Sequence, residues 1–215
     1  MKGLLVLAGA AVIGVGATLG VLLGTRGSGS SSDGARAAIV APAGPYRGSE
    51  PPPGIKAPDF ALHSYRGPLV RMRDLRGKVV LVTFLDTGCR DKCPIIAAAI
   101  GRTLPLLKPA ERAQVDVLAV SVLPQLDTPP RVKSFLRQRH ALGIDWLIGP
   151  VPELVKVWKQ FSILAAAQTG NANSHSADVR VFDRNGIWVS TLHVGVDLTP
   201  ANLAHDIRLA LRTRT

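Results

Sequence analysis

Two strongly apolar runs constrain the fold of this chain more than any other feature of its sequence. They are KVVLVTFL (Lys78 to Leu85) and VDVLAVSV (Val115 to Val122), and both are rich in β-branched residues. Neither shows the clean polar alternation of a strand that has one face in water, so both are typical of strands buried on both faces. Strands of this kind need helices on each side, and the chain is therefore predicted to form an α/β sheet.

The segments around these two strands complete an alternating order of strands and helices. Short alternating runs on either side of Arg66-Gly67 predict a hairpin, and Asn185-Gly186 predicts a two-residue turn between two later strands. Thr128-Pro129 is typical of a helix start, for a helix that reaches His140. The resulting order, β-α-β-α-β-α-β-β-α, fits a thioredoxin-like central sheet with flanking helices over residues 57–215.

The N-terminal part of the chain has a different character. Gly3 to Gly24 contains no charged residue and, at about 1.5 Å per residue, is long enough for the roughly 30 Å core of a bilayer. Residues 1–25 are predicted to be an uncleaved transmembrane anchor, in preference to a cleaved signal peptide. Residues 26–56 are rich in Gly, Ser and Pro and are predicted to be a flexible tether. Either reading of the first segment places the rest of the chain on the extracytoplasmic side of the cell membrane.

The net charge of +11 is spread over several basic segments of the chain. No nucleic-acid motif accompanies these segments, and no aromatic residues are interleaved with them, so nucleic-acid binding is not expected. Beside a membrane anchor, solvated basic helix faces near an anionic lipid leaflet are the simpler interpretation.

The only two cysteines, Cys89 and Cys93, follow the first buried strand and begin a helical segment. A helix N-terminus stabilises thiolates, and Arg90 and Lys92 add positive charge. Side chains four apart on a helix are about 5–6 Å apart, wider than a relaxed disulfide requires, so the spacing favours a metal between two sulfurs. A strained disulfide stays possible if Cys89 lies on the loop. Thiolates favour copper(I), zinc or iron–sulfur; two cysteines are too few for a cluster, and a third ligand is needed.

Histidine is the candidate for that third ligand. His175 lies in the polar stretch NANSHSADV, directly before a predicted strand, and in a thioredoxin-like sheet that loop faces the cysteines. The four other histidines are expected to have structural or surface roles. They are His63, His140, His193 and His205.

At this point the chain resembles the Sco/SenC family of membrane-anchored, thioredoxin-like copper proteins implicated in assembling the copper centre of cytochrome c oxidase. The matching stretches are APDFALHSYRGPLVRMRDLRGKVVLVTF, TGCRDKCP, VDVLAVSVLPQLDTP and SHSADVRVFDRNG. The resemblance implies copper as the bound metal, with Cys89, Cys93 and His175 as its ligands. It also implies a copper-receiving subunit of cytochrome c oxidase, or another copper protein, as the partner.

The chain departs from the family pattern at three places. Leu123 precedes a proline where an acidic residue is usual, Asp86 stands where an aromatic residue is common, and Arg90 stands where proline is common. Asp86 is expected to raise thiolate pKa values through charge repulsion or to hold Arg90 or Lys92. Asp127 matches a family position near the site, and its simpler expected role is to cap the turn before Pro129. Thioredoxins have a cis-proline where this chain has Ser174-His175-Ser176.

The sequence therefore predicts a membrane-anchored copper metallochaperone, with other functions left open. The first alternative is a thiol-disulfide oxidoreductase in which Cys89 attacks and Cys93 resolves, with thiol reductases as further partners. A peroxidase or redox sensor is a second, although Asp86 lies three residues before Cys89 where peroxiredoxins have threonine. A purely structural disulfide is a third.

Overall fold

The computed structural model describes residues 44–171 and 176–214. The predicted anchor, the first part of the predicted tether and His175 lie outside these residues. The strands of the described part are β1 (Ala61–Ser64), β2 (Leu69–Arg71), β3 (Val79–Leu85), β4 (Val115–Ser121), β5 (Asp145–Ile148), β6 (Asp178–Phe182) and β7 (Trp188–His193).

Helices follow most of the strands. They are α1 (Lys92–Thr103), α2 (Pro109–Arg112), α3 (Pro129–Gln138), α4 (Val151–Gln160), α5 (Ala166–Thr169) and α6 (Pro200–Leu211), with short 3-10 turns at Met72–Leu75 and Leu104–Leu106. Among these described helices, none has the length and hydrophobicity needed to cross a bilayer.

The described strands form one mixed sheet in the order β2-β1-β5-β4-β3-β6-β7. β3, β4 and β5 are parallel, while β6 and β7 form an antiparallel hairpin on one side and β1 and β2 another on the opposite side. Leu85 pairs with Ser121, so the carboxyl ends of β3 and β4 lie side by side. The predicted α/β sheet with flanking helices is confirmed.

The two faces of β3 explain why its sequence does not alternate. All seven of its residues are buried. Val79, Leu81 and Leu85 join a core with residues of α1, α3 and α6, whereas Val80 and Phe84 join a second core with residues of α4. Both faces are therefore covered by helices, as a continuous apolar strand requires.

Three local details differ from the sequence-based expectation. Helix α3 ends at Gln138, two residues early, and His140 takes a positive φ of 53°. The segment PELVKVWKQF predicts a helix with an apolar stripe of Leu154, Val155, Trp158 and Phe161, but α4 buries Val157 more fully than Val155. The β6–β7 turn is wider than two residues, because the Asp183 carboxylate accepts backbone hydrogen bonds from both Asn185 and Ile187.

Residues 44–56, which the sequence assigns to the tether, make specific contacts in the structure. The backbone of Ser49 pairs with Thr191 of β7, and Lys56 forms a β-bridge with Ile187. The backbone N–H groups of Arg47 and Gly48 donate to the buried Asp206 of α6 at 2.8 and 3.0 Å. The packed part of the chain therefore begins before Ala57.

Candidate metal centre

Both cysteines lie at the carboxyl edge of the sheet, where β3 passes into α1. β3 ends at Leu85, Asp86 to Asp91 form the connecting loop, and α1 begins at Lys92. Cys93 therefore lies in the first turn of the helix, whereas Cys89 lies on the loop. The prediction that the pair follows a buried strand and opens a helix is confirmed for Cys93, whereas Cys89 lies before the helix. The separation of about 5–6 Å applies to two side chains on one helix, so it does not exclude a disulfide in this arrangement.

The two sulfurs are close together, buried and accompanied by a carboxylate. The exposed fractions of Asp86, Cys89 and Cys93 are 0%, 3% and 0%. One carboxylate oxygen and the two Sγ atoms all lie within 4.8 Å of one another, and among the described residues this is a group able to hold a metal ion. Both cysteines are described, and their sulfurs are not joined in a disulfide.

Hydrogen bonds affect the protonation of the two cysteine sulfurs differently. The backbone N–H of Cys93 donates to Cys89 Sγ at 3.4 Å, so the N-terminal turn of α1 offers a donor to the loop sulfur. The side-chain hydrogen bond with Cys89, and then burial, raise the pKa of the Cys93 thiol far above its ordinary range. The charge of Asp86 adds a smaller increase, while a backbone hydrogen bond from Asp86 acts in the opposite direction. A metal that binds both sulfurs must therefore displace protons.

Asp127 braces the loop that carries Cys89. Its Oδ1 accepts from the backbone N–H of Thr87 at 2.8 Å, and its Oδ2 accepts from the Ser121 hydroxyl at 2.6 Å. Burial raises the pKa of Asp127, and the bonds from Ser121 and Thr87 oppose that rise. Its expected role in capping the turn before Pro129 is wrong, because the carboxylate is used on the cysteine loop. Thr128 occupies the N-cap position without a side-chain cap bond.

Helix α3 brings positive charge to the same edge of the sheet. Arg131 Nε lies 3.4 Å from Thr87 Oγ1. The guanidinium of Arg139 stacks over the Phe135 ring at 3.9 Å, and burial lowers its pKa while the charge of Cys93 raises it. The electrostatic environment of Cys93 therefore includes a cation, Arg139, from a segment distant in sequence.

The described histidines do not belong to the group formed by Asp86 and the cysteines. His63 bonds to the carbonyl of Gly67 at 2.9 Å, His193 lies near Asp197, and His205 bonds to Asp206 at 3.0 Å. His140 is exposed after α3. These positions agree with the structural and surface roles expected of them, and His175 lies outside the described residues.

A dithiol that follows a buried parallel strand and opens the next helix, in an α/β sheet with a C-terminal hairpin, defines a protein of the thioredoxin-like class. The family model SCO1/SenC matches residues 49–212, and the chain therefore belongs to the SCO1/SenC family. The resemblance inferred from the sequence is confirmed.

Individual relatives agree with this assignment. The SCO2-like protein RC0895 of Rickettsia conorii is 25% identical over 158 residues, which cover 70% of this chain and 74% of the relative. The solved structure of Bradyrhizobium japonicum ScoI, which has copper bound, is 27% identical with a TM-score of 0.62 over 74% of this chain and all of that one. BsSco, described as a member of the Sco family of cytochrome c oxidase assembly proteins with a disulfide switch, has the same fold: its TM-score is 0.63 at 24% identity, over 77% and 98% of the two chains.

Sequence reasoning missed two features of this region and its surroundings. It expected Asp86 to raise thiolate pKa values or to hold Arg90 or Lys92, and it did not place the Asp86 carboxylate in one group with both sulfurs. It also missed the bonds from Arg47 and Gly48 to Asp206, because a Pro- and Gly-rich segment gives no indication of a specific docking site.

Proposed function

We propose that this chain is a membrane-anchored, extracytoplasmic copper metallochaperone that binds copper through Cys89, Cys93 and His175. Its copper would be delivered during assembly of a copper site in respiratory cytochrome c oxidase. The observation that carries the proposal is the pair of adjacent, buried, reduced sulfurs at the carboxyl end of β3. Family membership supports it, since ScoI of the same family has copper bound and the Sco family is described as assembling cytochrome c oxidase.

The chemistry of the donors suits transfer of a soft metal ion. Thiolates bind copper(I) strongly, and a site with few ligands can release its ion to a recipient by ligand exchange. The Cys93 N–H that bonds Cys89 Sγ favours the deprotonated loop sulfur. Because the pKa of Cys93 is raised, copper affinity is expected to fall as pH decreases.

The described residues beside His175 support its assignment as the third ligand. Asp178 begins β6, which pairs antiparallel with β3, and its carbonyl accepts a bond from the Thr83 hydroxyl at 2.6 Å. The start of β6 therefore lies beside the end of β3. Ser176, one residue after His175, is fixed by a backbone bond to Leu164 at 3.0 Å.

The N-terminal segments would place this site at a membrane. An apolar run at residues 3–24 is long enough to span a bilayer, and a tether would then lead to the folded part. A copper-receiving subunit embedded in the same membrane would meet the site at high local concentration.

A copper titration of the reduced full chain without oxygen tests the proposal. We expect a single copper ion per chain, no stable binding in Cys89→Ser or Cys93→Ser, and weaker binding in His175→Ala. His63→Ala is the matched control, because His63 bonds to Gly67 in the first hairpin, and it should bind copper as the wild type does. No stable copper in the reduced wild type would contradict the proposal.

Thiol–disulfide exchange is the second candidate function, and the position of Cys89 on the loop favours it. A loop cysteine beside the first turn of a helix is free of the helical spacing that made a disulfide unfavourable in the sequence-based argument. Cys89 thiolate would attack a partner disulfide, and Cys93 would then attack the mixed disulfide and release the reduced partner thiol. Rapid exchange with a test disulfide that is unchanged in His175→Ala, without copper binding, would favour this function. The 3% exposure of Cys89 argues against it, because a partner sulfur needs access.

A further inference from the structure

We infer that Asp86 is a specificity-determining residue of the metal site, whose carboxylate adds a hard oxygen donor and shifts the site toward divalent ions relative to copper(I). The inference rests on the proposed function, because it presumes that the two cysteines bind copper. It goes beyond that function, because it adds a donor and predicts which ions compete with the cargo.

The geometry brings Asp86 to the sulfurs. Asp86 is the first residue after β3, so a rigid buried strand fixes its backbone. Its Oδ1 accepts the backbone N–H of Gly88 at 2.8 Å, which restrains the side chain on the cysteine loop. A carboxylate oxygen and both Sγ atoms lie within 4.8 Å of one another. Donors that share a tetrahedral ion are about 3–4 Å apart, so small side-chain shifts are sufficient for all three to bind one ion.

The donor chemistry gives the direction of the effect. Sulfur ligands favour copper(I), whereas carboxylate oxygens suit harder ions. Two thiolates and a carboxylate carry three formal negative charges when deprotonated, and a divalent ion neutralises more of that charge than a monovalent one. Since the site is buried, residual charge is costly there. Asp86 should therefore strengthen binding of divalent ions more than binding of copper(I).

Asp127 provides the matched control for this inference. It is also a buried carboxylate at the same edge of the sheet, with 2% exposure. Its two oxygens are bonded to Thr87 and Ser121, and it does not belong to the group that could hold a metal. A loss that is merely due to altered loop packing should therefore occur in Asp127→Asn as well.

The experiment measures zinc(II) and copper(I) affinities by chelator competition for the reduced full chain and its variants, without oxygen. Zinc(II) is the divalent probe because it does not oxidise thiols. In Asp86→Asn, which keeps an acceptor for Gly88, the preference for zinc(II) over copper(I) should fall at least about tenfold, the size of effect seen when groups around a metal site are removed. Asp127→Asn should leave that ratio within about threefold, even where both ions bind more weakly.

Cobalt(II) absorption gives a second reading that reports ligands directly. The visible bands of the cobalt(II)-loaded chain should shift in Asp86→Asn and not in Asp127→Asn. If Asp86→Asn does not fold, Asp86→Glu replaces it, because a ligating carboxylate on a longer side chain must also shift the bands. An unchanged affinity ratio and unchanged bands, with wild-type copper binding intact, would overturn this inference alone. A wild type that binds neither ion would overturn both this inference and the proposed function.

Discussion

Asp86 and Asp206 are both fully buried carboxylates, and their surroundings differ in kind. Asp206 accepts from the backbone N–H groups of Arg47 and Gly48, from the Ser190 hydroxyl at 2.6 Å, and contacts the His205 ring at 3.0 Å. Asp86 accepts from the Gly88 N–H at 2.8 Å, and one of its oxygens lies within 4.8 Å of both Sγ atoms. The Asp206 carboxylate therefore joins residues 47 and 48 to α6 and β7, whereas the Asp86 carboxylate lies among atoms that could hold a metal ion.

The Asp206 contacts also determine how the chain enters the folded part. They attach residues 47 and 48 to α6, and the backbone pairing of Ser49 with Thr191 attaches the next residue to β7. A variant that breaks this attachment should change stability without changing the metal donors.

The largest expected difference between the two carboxylates is in the free energy of unfolding of their variants. Asp206→Ala removes the acceptor of buried N–H and O–H groups and should lower the free energy of unfolding by about 3–5 kcal/mol. Asp86→Asn in the metal-free protein should change it by less than about 1 kcal/mol, because the amide oxygen still accepts from Gly88. Urea denaturation followed by circular dichroism gives both values, and equal losses in the two variants would refute the distinction.

The substitution Gly48→Ala tests the same attachment by changing the N-terminal segment instead of Asp206. A Cβ added there would lie 2.4 Å from Ser190 Oγ and 2.5 Å from the Thr191 carbonyl oxygen. Because the second of these atoms belongs to the backbone of β7, the segment must move, and Gly48→Ala should cost about 1–3 kcal/mol.

Ser49→Ala is the control for Gly48→Ala, since Ser49 bonds to Thr191 through its backbone alone in that pairing. Its free energy of unfolding should remain within about 0.5 kcal/mol of the wild type. A Gly48→Ala variant as stable as Ser49→Ala would show that residues 44–56 do not pack as described.

The strands could be predicted from the sequence because burial on both faces leaves a direct composition signal. Val79 to Leu85 and Val115 to Ser121 are mostly apolar, and the structure places both at the centre of the sheet. The position of the cysteines at the end of β3 could be predicted for the same reason, because they follow this apolar run and α/β sheets place sites at strand ends.

The remaining features depend on long-range contacts that have no local signature. Asp206 is in an amphipathic helix, and only the fold shows that it turns toward a segment 159 residues away. Asp127 was assigned to the turn beside it, although its partner Thr87 is 40 residues earlier. The wide β6–β7 turn depends on two bonds to the Asp183 side chain, which the dipeptide Asn185-Gly186 does not reveal.

A smaller effect should appear in the pH dependence of stability. Burial raises the pKa of Asp127 above its ordinary 3.8, so the folded protein retains a proton that the unfolded chain has already lost. The stability from this group is fully present below the unfolded pKa and is lost as pH rises through the folded value. The stability of wild type relative to Asp127→Asn should therefore fall as pH increases above about 4. Denaturation at several pH values checks this, and a relative stability that rises with pH would contradict it.

The smallest expected effect is spectroscopic and reports on the environment of Asp206. Burial, and then the charges of Asp183, Asp206 and Glu50, raise the pKa of Tyr46 to about 12 from 10.0. The chain has two tyrosines, so a Tyr65→Phe background isolates the tyrosinate absorbance of Tyr46. The neutral phenol favours folding, and its contribution, complete below pH 10, should be lost as pH rises toward 12.

Adding Asp206→Asn to the Tyr65→Phe background tests whether the pKa of Tyr46 depends on the attachment of residues 47 and 48 to Asp206. If Asp206 holds residues 47 and 48 in place, the variant removes a nearby charge and also releases the segment that buries the phenol. The midpoint should then move from about 12 toward 10.0. The shift should exceed the one expected from loss of the Asp206 charge alone, because that charge ranks third among the causes of the raised pKa. A midpoint that stays near 12 would mean that Tyr46 is buried by contacts independent of Asp206, and the attachment would then depend on the pairing of Ser49 with β7.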